Sequence, residues 1–360
     1  MDVNQIIPSN LINKSAAHHL YDKGLCFTRM GDERRRNFFH KPIVIFTVLM
    51  VQLIKNIVLI VTPDDWRQVF IVLGDFAYFI NMKYTLNTAC ILFNTLGTST
   101  MLIYYYNHKN GIRPTFLWVF RMTSGSVTPR SVGLTDGETV LTFIRRTDLL
   151  FRFIKIFIER AVLTVIFAVY FFPLATNFTL KESLLFAIPN TLLFQAFVYY
   201  CYSIIFYKMV YLYLICYYLK AKIRSINKRA IHLMETKRYE SLYQLMASID
   251  KIYAEVNEYN MTFWSKYLLM FWLTFGAVIV FLMIITFFIE MTMVYRLVWG
   301  FITAYLSVIF LIIIISASSV NTIANESYKL FNRLFVDYSG VDRRSYVRTR
   351  GRLFRKFKVF

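Results

Sequence analysis

The chain has 360 residues, 57% of them hydrophobic, with 35 Phe and 25 Tyr. Charged residues make up only 17%, against roughly 25% in soluble domains, and the mean hydropathy is +0.48. Such a composition excludes an ordinary cytosolic enzyme, a disordered regulator and a secreted disulfide scaffold, and points to an all-α, polytopic helical membrane protein. The 41 basic and 21 acidic residues leave a charge of +20. Where those charges sit decides whether they mark nucleic-acid binding or membrane topology.

Residues 1–38 are polar and lack the basic–apolar–cleavage order of a signal peptide. A span needs about 20 mostly apolar residues, and the first run that qualifies is Phe39–Val61, preceded by Arg34, Arg35 and Arg36. Lys55 lies near its far end, where a long side chain reaches the interface. The next apolar region, Val69–Tyr106, is predicted to be one long helix, because Asp75, Asn81, Lys83 and Asn87 in its middle argue against two clean spans. At 1.5 Å per residue it would reach about 57 Å, well beyond a hydrocarbon core about 30 Å thick. His108–Phe153 reads as an inner loop containing a Gly/Ser/Pro-rich linker, Thr123–Thr139. Ile154–Ala175 is the third span. Leu184–Tyr207 is the fourth, with its helix continuing to about Lys220.

Between spans four and five, the loop 218–266 carries two apolar stripes at steps of three and four. One is Leu219, Ile223, Ile226, Ala230 and Leu233. The other is Leu242, Leu245, Ile249, Ile252, Val256 and Tyr259. The helices of spans four and five are therefore expected to extend and pack as an antiparallel pair, joined by Val320, Ile323, Leu330 and Leu334. Such stripes bury equally well within one chain or between subunits. Leu242, Leu245, Ile249, Ile252 and Val256 are thus candidate assembly residues. The fifth span is Tyr267–Ile289 and the sixth Tyr295–Ser316. The expected layout is an N-terminus over 1–38, a bundle over 39–316 and a basic tail over 317–360.

The loops alternate in charge. Three short ones (62–67, 176–183 and 290–294) hold Asp64, Asp65, Glu182 and Glu290, while the opposite side receives nearly every Lys and Arg. Arg343–Lys358 alone has eight basic residues and no acid. The positive-inside rule then places both termini in the cytoplasm with an even number of spans. It accounts for the charge without nucleic acid as a partner. The tail has the chemistry to lie on anionic membrane lipids.

Catalytic patterns are missing. His18, His19, His40, His108 and His232 form no metal-binding spacing, and there is no phosphate loop, nucleophile elbow or C-x-x-C. The expectation is no enzyme, no cofactor and no metal. Lys55, Asp75 and Lys83 are intramembrane ionisable residues, functional candidates by default or else interface residues. Aromatic and amide side chains crowd the outer halves of the spans. Tyr78, Tyr84, Phe167, Tyr170, Asn190, Phe194, Gln195, Tyr295 and Trp299 are candidate ligand-binding residues, suited to a small organic ligand. Lipid-facing aromatics and plain helix packing explain many of the same positions.

This arrangement resembles the arthropod gustatory and odorant receptor superfamily. It shares the cytoplasmic N-terminus, the very short outer loops, the larger inner loop between spans four and five, and the segment S-V-N-T-I-A-N-E-S-Y-K-L-F-N-R-L (319–334). The resemblance covers roughly Phe39–Leu334. It implies a plasma-membrane chemosensory receptor subunit: a homo- or hetero-tetrameric, ligand-gated, non-selective cation channel opened by small organic ligands. The family's seventh, pore-lining span with its T-Y-x5-Q-F signature has no counterpart after Ser316. The expectation is therefore a family member lacking that span. The alternative class is a multispan transporter or lipid-handling protein without gating.

Overall fold

The structure is a computed structural model and describes residues 40–110, 137–162, 170, 174, 177–236, 242–259, 261, 264–290 and 293–339. Among these there is no strand. The first helix, α1 (His40–Val61), has inverted polarity: Gln52 and Asn56 are buried, while Ile43, Val44, Ile54 and Val61 are exposed. Aliphatic side chains outside and amides inside are stable only where the surrounding solvent is hydrocarbon.

The second apolar region corrects the expectation of one long helix. It forms α2 (Arg67–Leu73), a four-residue α3 (Phe76–Phe79) and α4 (Lys83–Lys109). Gly74 takes the left-handed conformation at φ 58°. The N–H groups of Gly74 and Asp75 close the α2 terminus onto Ile71 and Phe70 carbonyls, a Schellman cap. Asp75 then caps α3, its Oδ1 accepting from Ala77 N–H at 3.1 Å. A second left-handed residue, Asn81 at φ 57°, repeats the device, with Met82 N–H reaching the Ala77 carbonyl. The two breaks remove the length conflict, since α4 alone measures about 40 Å.

The segment read from the sequence as the first inner loop also departs from expectation. Gly137–Ile156 is a helix, α5, and a π-helical stretch, Phe157–Val162, carries it into the predicted third span. Val140, Phe143, Thr147, Phe151, Ile154 and Ile158 form its buried stripe at steps of three and four. The stripe lies on the long helix α7 (Ile188–Thr236). Phe143 stacks on Tyr217 at 6.3 Å, and the Arg146 guanidinium covers the same ring at 4.5 Å.

A single turn, α6 (Leu180–Glu182), and a π-helical segment, Ser183–Ala187, lead into α7. Thr179 and Glu182 start this run as a reciprocal capping box. At 49 residues, α7 is about 74 Å long and projects well beyond a bilayer. Then come α8 (Leu242–Tyr259), α9 (Ser265–Phe288) and the 47-residue α10 (Met293–Ser339), which passes Ser316 without a break. The chain packs most extensively where α7 meets α10 and where α1 meets α4. Gly97 of α4 lets α7 approach closely, since a Cβ there would lie 3.3 Å from Cys201 Sγ.

Five described helices are long and apolar enough to cross a membrane: Ile43–Val61, Lys83–Ile103, Leu180–Thr236, Ser265–Phe288 and Arg296–Leu334. This is the pattern of a multi-pass membrane protein. Half of the predicted third span, 154–175, lies outside the described residues.

Candidate functional site

The break before α3 sets the Val72 and Gly74 carbonyls against buried side chains of other segments. Lys55 of α1 donates from Nζ to Asn190 Oδ1 of α7 at 2.9 Å and to the Tyr170 hydroxyl at 3.1 Å. That hydroxyl donates in turn to the Gly74 carbonyl at 2.6 Å. Asn190 Nδ2 donates to the Val72 carbonyl at 3.0 Å and to the Phe186 carbonyl at 2.9 Å. Two side chains thus fill the acceptors left at the end of α2, and one ammonium holds both side chains. The fit is tight: a Cβ on Gly74 would lie 2.7 Å from Asn190 Cβ.

An aromatic wall backs this group. Tyr170 stacks on Phe194 at 4.4 Å and lies against Phe76 at 4.6 Å. On the far side, the Asp75 carboxylate caps α3 and accepts from Asn87 Nδ2 at 3.3 Å. Asp75 lies in the α2–α3 turn, between the spanning helices. Burial pushes its carboxyl up to about 6, while Asn87, the Ala77 N–H and the Lys55 charge pull the other way. The result is a cation, a buried acid, two amides and a phenol inside an apolar shell. Chemically it offers a donor cation and two amides beside an aromatic face, the groups that recognise a hydrogen-bond acceptor on a flat or apolar body.

A second cluster clamps the turn 62–66 between α1 and α2. Lys83 donates to the Thr62 carbonyl and pairs with Asp64 at 2.7 Å, under the rings of Phe70 and Tyr84 at 4.8 and 4.9 Å. Tyr78 stacks on Phe70 at 4.1 Å and donates to the Asp64 carbonyl at 3.2 Å.

Comparison with family models, with curated proteins and with solved structures finds no match to this chain. The reading of the site therefore stands on its geometry.

Of the sequence-predicted ligand residues, Tyr170, Asn190 and Phe194 meet in the Lys55 group. Tyr78 and Tyr84 belong to the Lys83 clamp, with Tyr84 exposed. Gln195 is half-buried on α7, and Trp299 is buried at the α9–α10 crossing, a turn before Thr303. Phe167 and the Tyr295 side chain lie outside the described residues. Lys55, Asp75 and Lys83, the three ionisable candidates, are all buried in these two clusters.

Sequence reasoning missed Gly74, whose importance comes from its φ angle and from the side chain facing it. It also missed Lys208, fully buried within α7, which falls one residue beyond the predicted end of the fourth span. Gln52, Asn56 and Asn94 escaped as well. The i, i+4 spacing of the first two within an apolar run was the available signal.

The candidate assembly stripe closes on the chain's own helices. Leu245, Ile249, Ile252 and Val256 are buried, and Ile249, Ile252 and Val256 share a small cavity of about 20 Å³ with Ile223, Ile226 and Phe331. Lys222 of α7 pairs with Glu255 of α8, which also accepts from Tyr259 OH at 2.6 Å. These four stripe residues are thus covered within one chain. The Leu242 side chain lies outside the described residues. Among the described residues, no group of His, Cys, Asp and Glu could hold a metal ion.

Proposed function

We propose that this chain is a chemosensory receptor subunit of the gustatory type, in the plasma membrane with cytoplasmic termini. Within a homo- or hetero-tetramer of related subunits, it gates a non-selective cation conductance in response to a small organic ligand. The observation that carries this reading is the Lys55 group, where α1, α7 and Tyr170 hold the end of α2 through one shared set of hydrogen bonds. A ligand offering a carbonyl or hydroxyl oxygen competes with Asn190 and Tyr170 for the Lys55 ammonium and stacks on Phe76 and Phe194. Displaced from Lys55, Asn190 no longer fixes the α2 terminus. The bundle then shifts between two packings by the ligand's differential affinity for them. The long α7 and α10 helices join this outer site to the cytoplasmic pair, so a shift at one end is transmitted by rigid elements.

The test is whole-cell recording of cells expressing the full chain, alone and with related subunits, against a panel of small organic compounds. Ligand-evoked cation current is expected, with Asn190→Ala and Lys55→Met shifting its dose dependence by tenfold or more while surface expression stays measurable. Saturable uptake of a compound without current would replace this reading with a transporter.

A further inference from the structure

The small cavity among α7, α8 and α10 lies near the opposite end of α7 from Asn190 and takes no part in the Lys55 group. Its wall is mainly apolar, but each helix adds one polar side chain: Asn227 from α7, Tyr253 from α8 and Ser327 from α10. Asn227 Oδ1 is shut off from solvent and, among the described residues, accepts no hydrogen bond. Enclosed acceptors in folded proteins are nearly always paired, with protein or with ordered water. Ser327 cannot serve this one directly. Its hydroxyl is buried and donates to the Ile323 carbonyl at 2.9 Å, so its one proton is committed and its lone pairs are left to accept. Two acceptors therefore border the cavity, and what joins them must carry two donors. None of the lining residues is charged, which excludes an ammonium or a metal cation as the guest. The volume of about 20 Å³ decides the size, since about 10–15 Å³ suffices for one water.

We infer that this cavity is a hydration site holding one ordered water. The water donates to Asn227 Oδ1 and to Ser327 Oγ, with the Tyr253 phenol as the polar group on the α8 side. Turning the Asn227 amide by half a turn sets Nδ2 in place of Oδ1, and water satisfies that arrangement too, because it accepts as well as donates. The water gives α7 and α10 a polar link that Asn227 and Ser327 do not make directly. Neither the ligand site nor any gating mechanism is needed for this inference.

The test is hydroxyl-radical footprinting of the full chain in detergent, read by mass spectrometry. An X-ray pulse turns a held water into a radical that oxidises the side chains around it. Phe331 is the reporter, because it lines the cavity and is fully buried, out of reach of bulk water. Phe143, as completely buried but not part of the cavity wall, is the control. Phe331 should be oxidised several-fold faster than Phe143. Asn227→Leu removes the acceptor and fills the space, and Ala324→Val fills it from α10. Each should bring Phe331 down to the Phe143 rate while hydrogen exchange along α8 stays as in the wild type, and either variant suffices if the other fails to fold. Equal rates for the two rings in the wild type would overturn the inference, since the cavity would then be dry. Phe331 oxidation that stays fast in the folded variants would overturn it as well, because the radical would be arriving through opening of the helices and not from a held water.

Discussion

Gly74 makes the sharpest demand on its residue type. Its left-handed φ costs an L residue about 1–2 kcal/mol, and a Cβ there would also press on Asn190 Cβ, which cannot swing away. Gly74→Ala is expected to destabilise the protein by more than about 2 kcal/mol, read as a lowered melting temperature in detergent. Gly276 supplies the control. Nothing lies within 4 Å of a Cβ there, so Gly276→Ala in mid-helix should leave the melting temperature unchanged or raise it. Asp75 predicts a pH dependence. Its folded carboxyl titrates near 6 against an ordinary 3.8, so folding favours the protonated form. The stability it contributes is complete below about 3.8 and is lost as pH rises through about 6. The wild type should therefore lose melting temperature relative to Asp75→Asn between pH 4 and pH 7, and parallel curves would sink that assignment. At this scale the sequence showed that Lys55, Asp75 and Asn190 were unusual, because a polar residue in an apolar run is conspicuous. It did not show that they meet, because Lys55 and Asn190 are separated by 135 positions.

At the scale of the element, α7 and α8 meet along an apolar seam that carries the Lys222–Glu255 ion pair. Glu255→Ala leaves Lys222 without its carboxylate in a largely buried place, with side-chain exposure of 10% at Lys222 and 21% at Glu255. The expected loss is about 1–3 kcal/mol. Replacing both partners with Met should cost less than the single change, since no orphaned charge remains. Hydrogen exchange along α8 measures both variants. A double variant worse than either single one would mean that the pair contributes through its methylene packing instead. The helical periodicity of α7 and α8 was legible in the sequence because one face of each is buried and the other wet. The stripe of α5 was equally regular, but it begins at the end of a Gly/Ser/Pro-rich stretch, which led to a loop assignment. The break at α3 could not be read from periodicity, because it depends on left-handed backbone at Gly74 and Asn81, which hydrophobic spacing does not report.

For the whole molecule, polarity is the organising fact. Asn94 is fully buried, with Nδ2 donating to the Leu49 carbonyl at 2.7 Å, while Phe288 and Phe301 are among the most exposed side chains. The charge asymmetry of the loops predicts a definite orientation. Epitope tags at both termini should stain only after the plasma membrane is permeabilised, and staining of intact cells at either end would refute the assignment. Composition and hydrophobic patterning by themselves determined that this is a helical, multi-pass chain. They also located the first, fourth, fifth and sixth spans as long apolar helices, and the helical stretches between the fourth and fifth, because transfer to hydrocarbon and helical periodicity act within a short stretch of chain. Only the tertiary structure decided that the second region breaks around α3, that the α8 stripe is covered within one chain, and that Lys55, Tyr170 and Asn190 share a site. Those outcomes depend on which carbonyls a break leaves open and which distant side chains pack close enough to fill them.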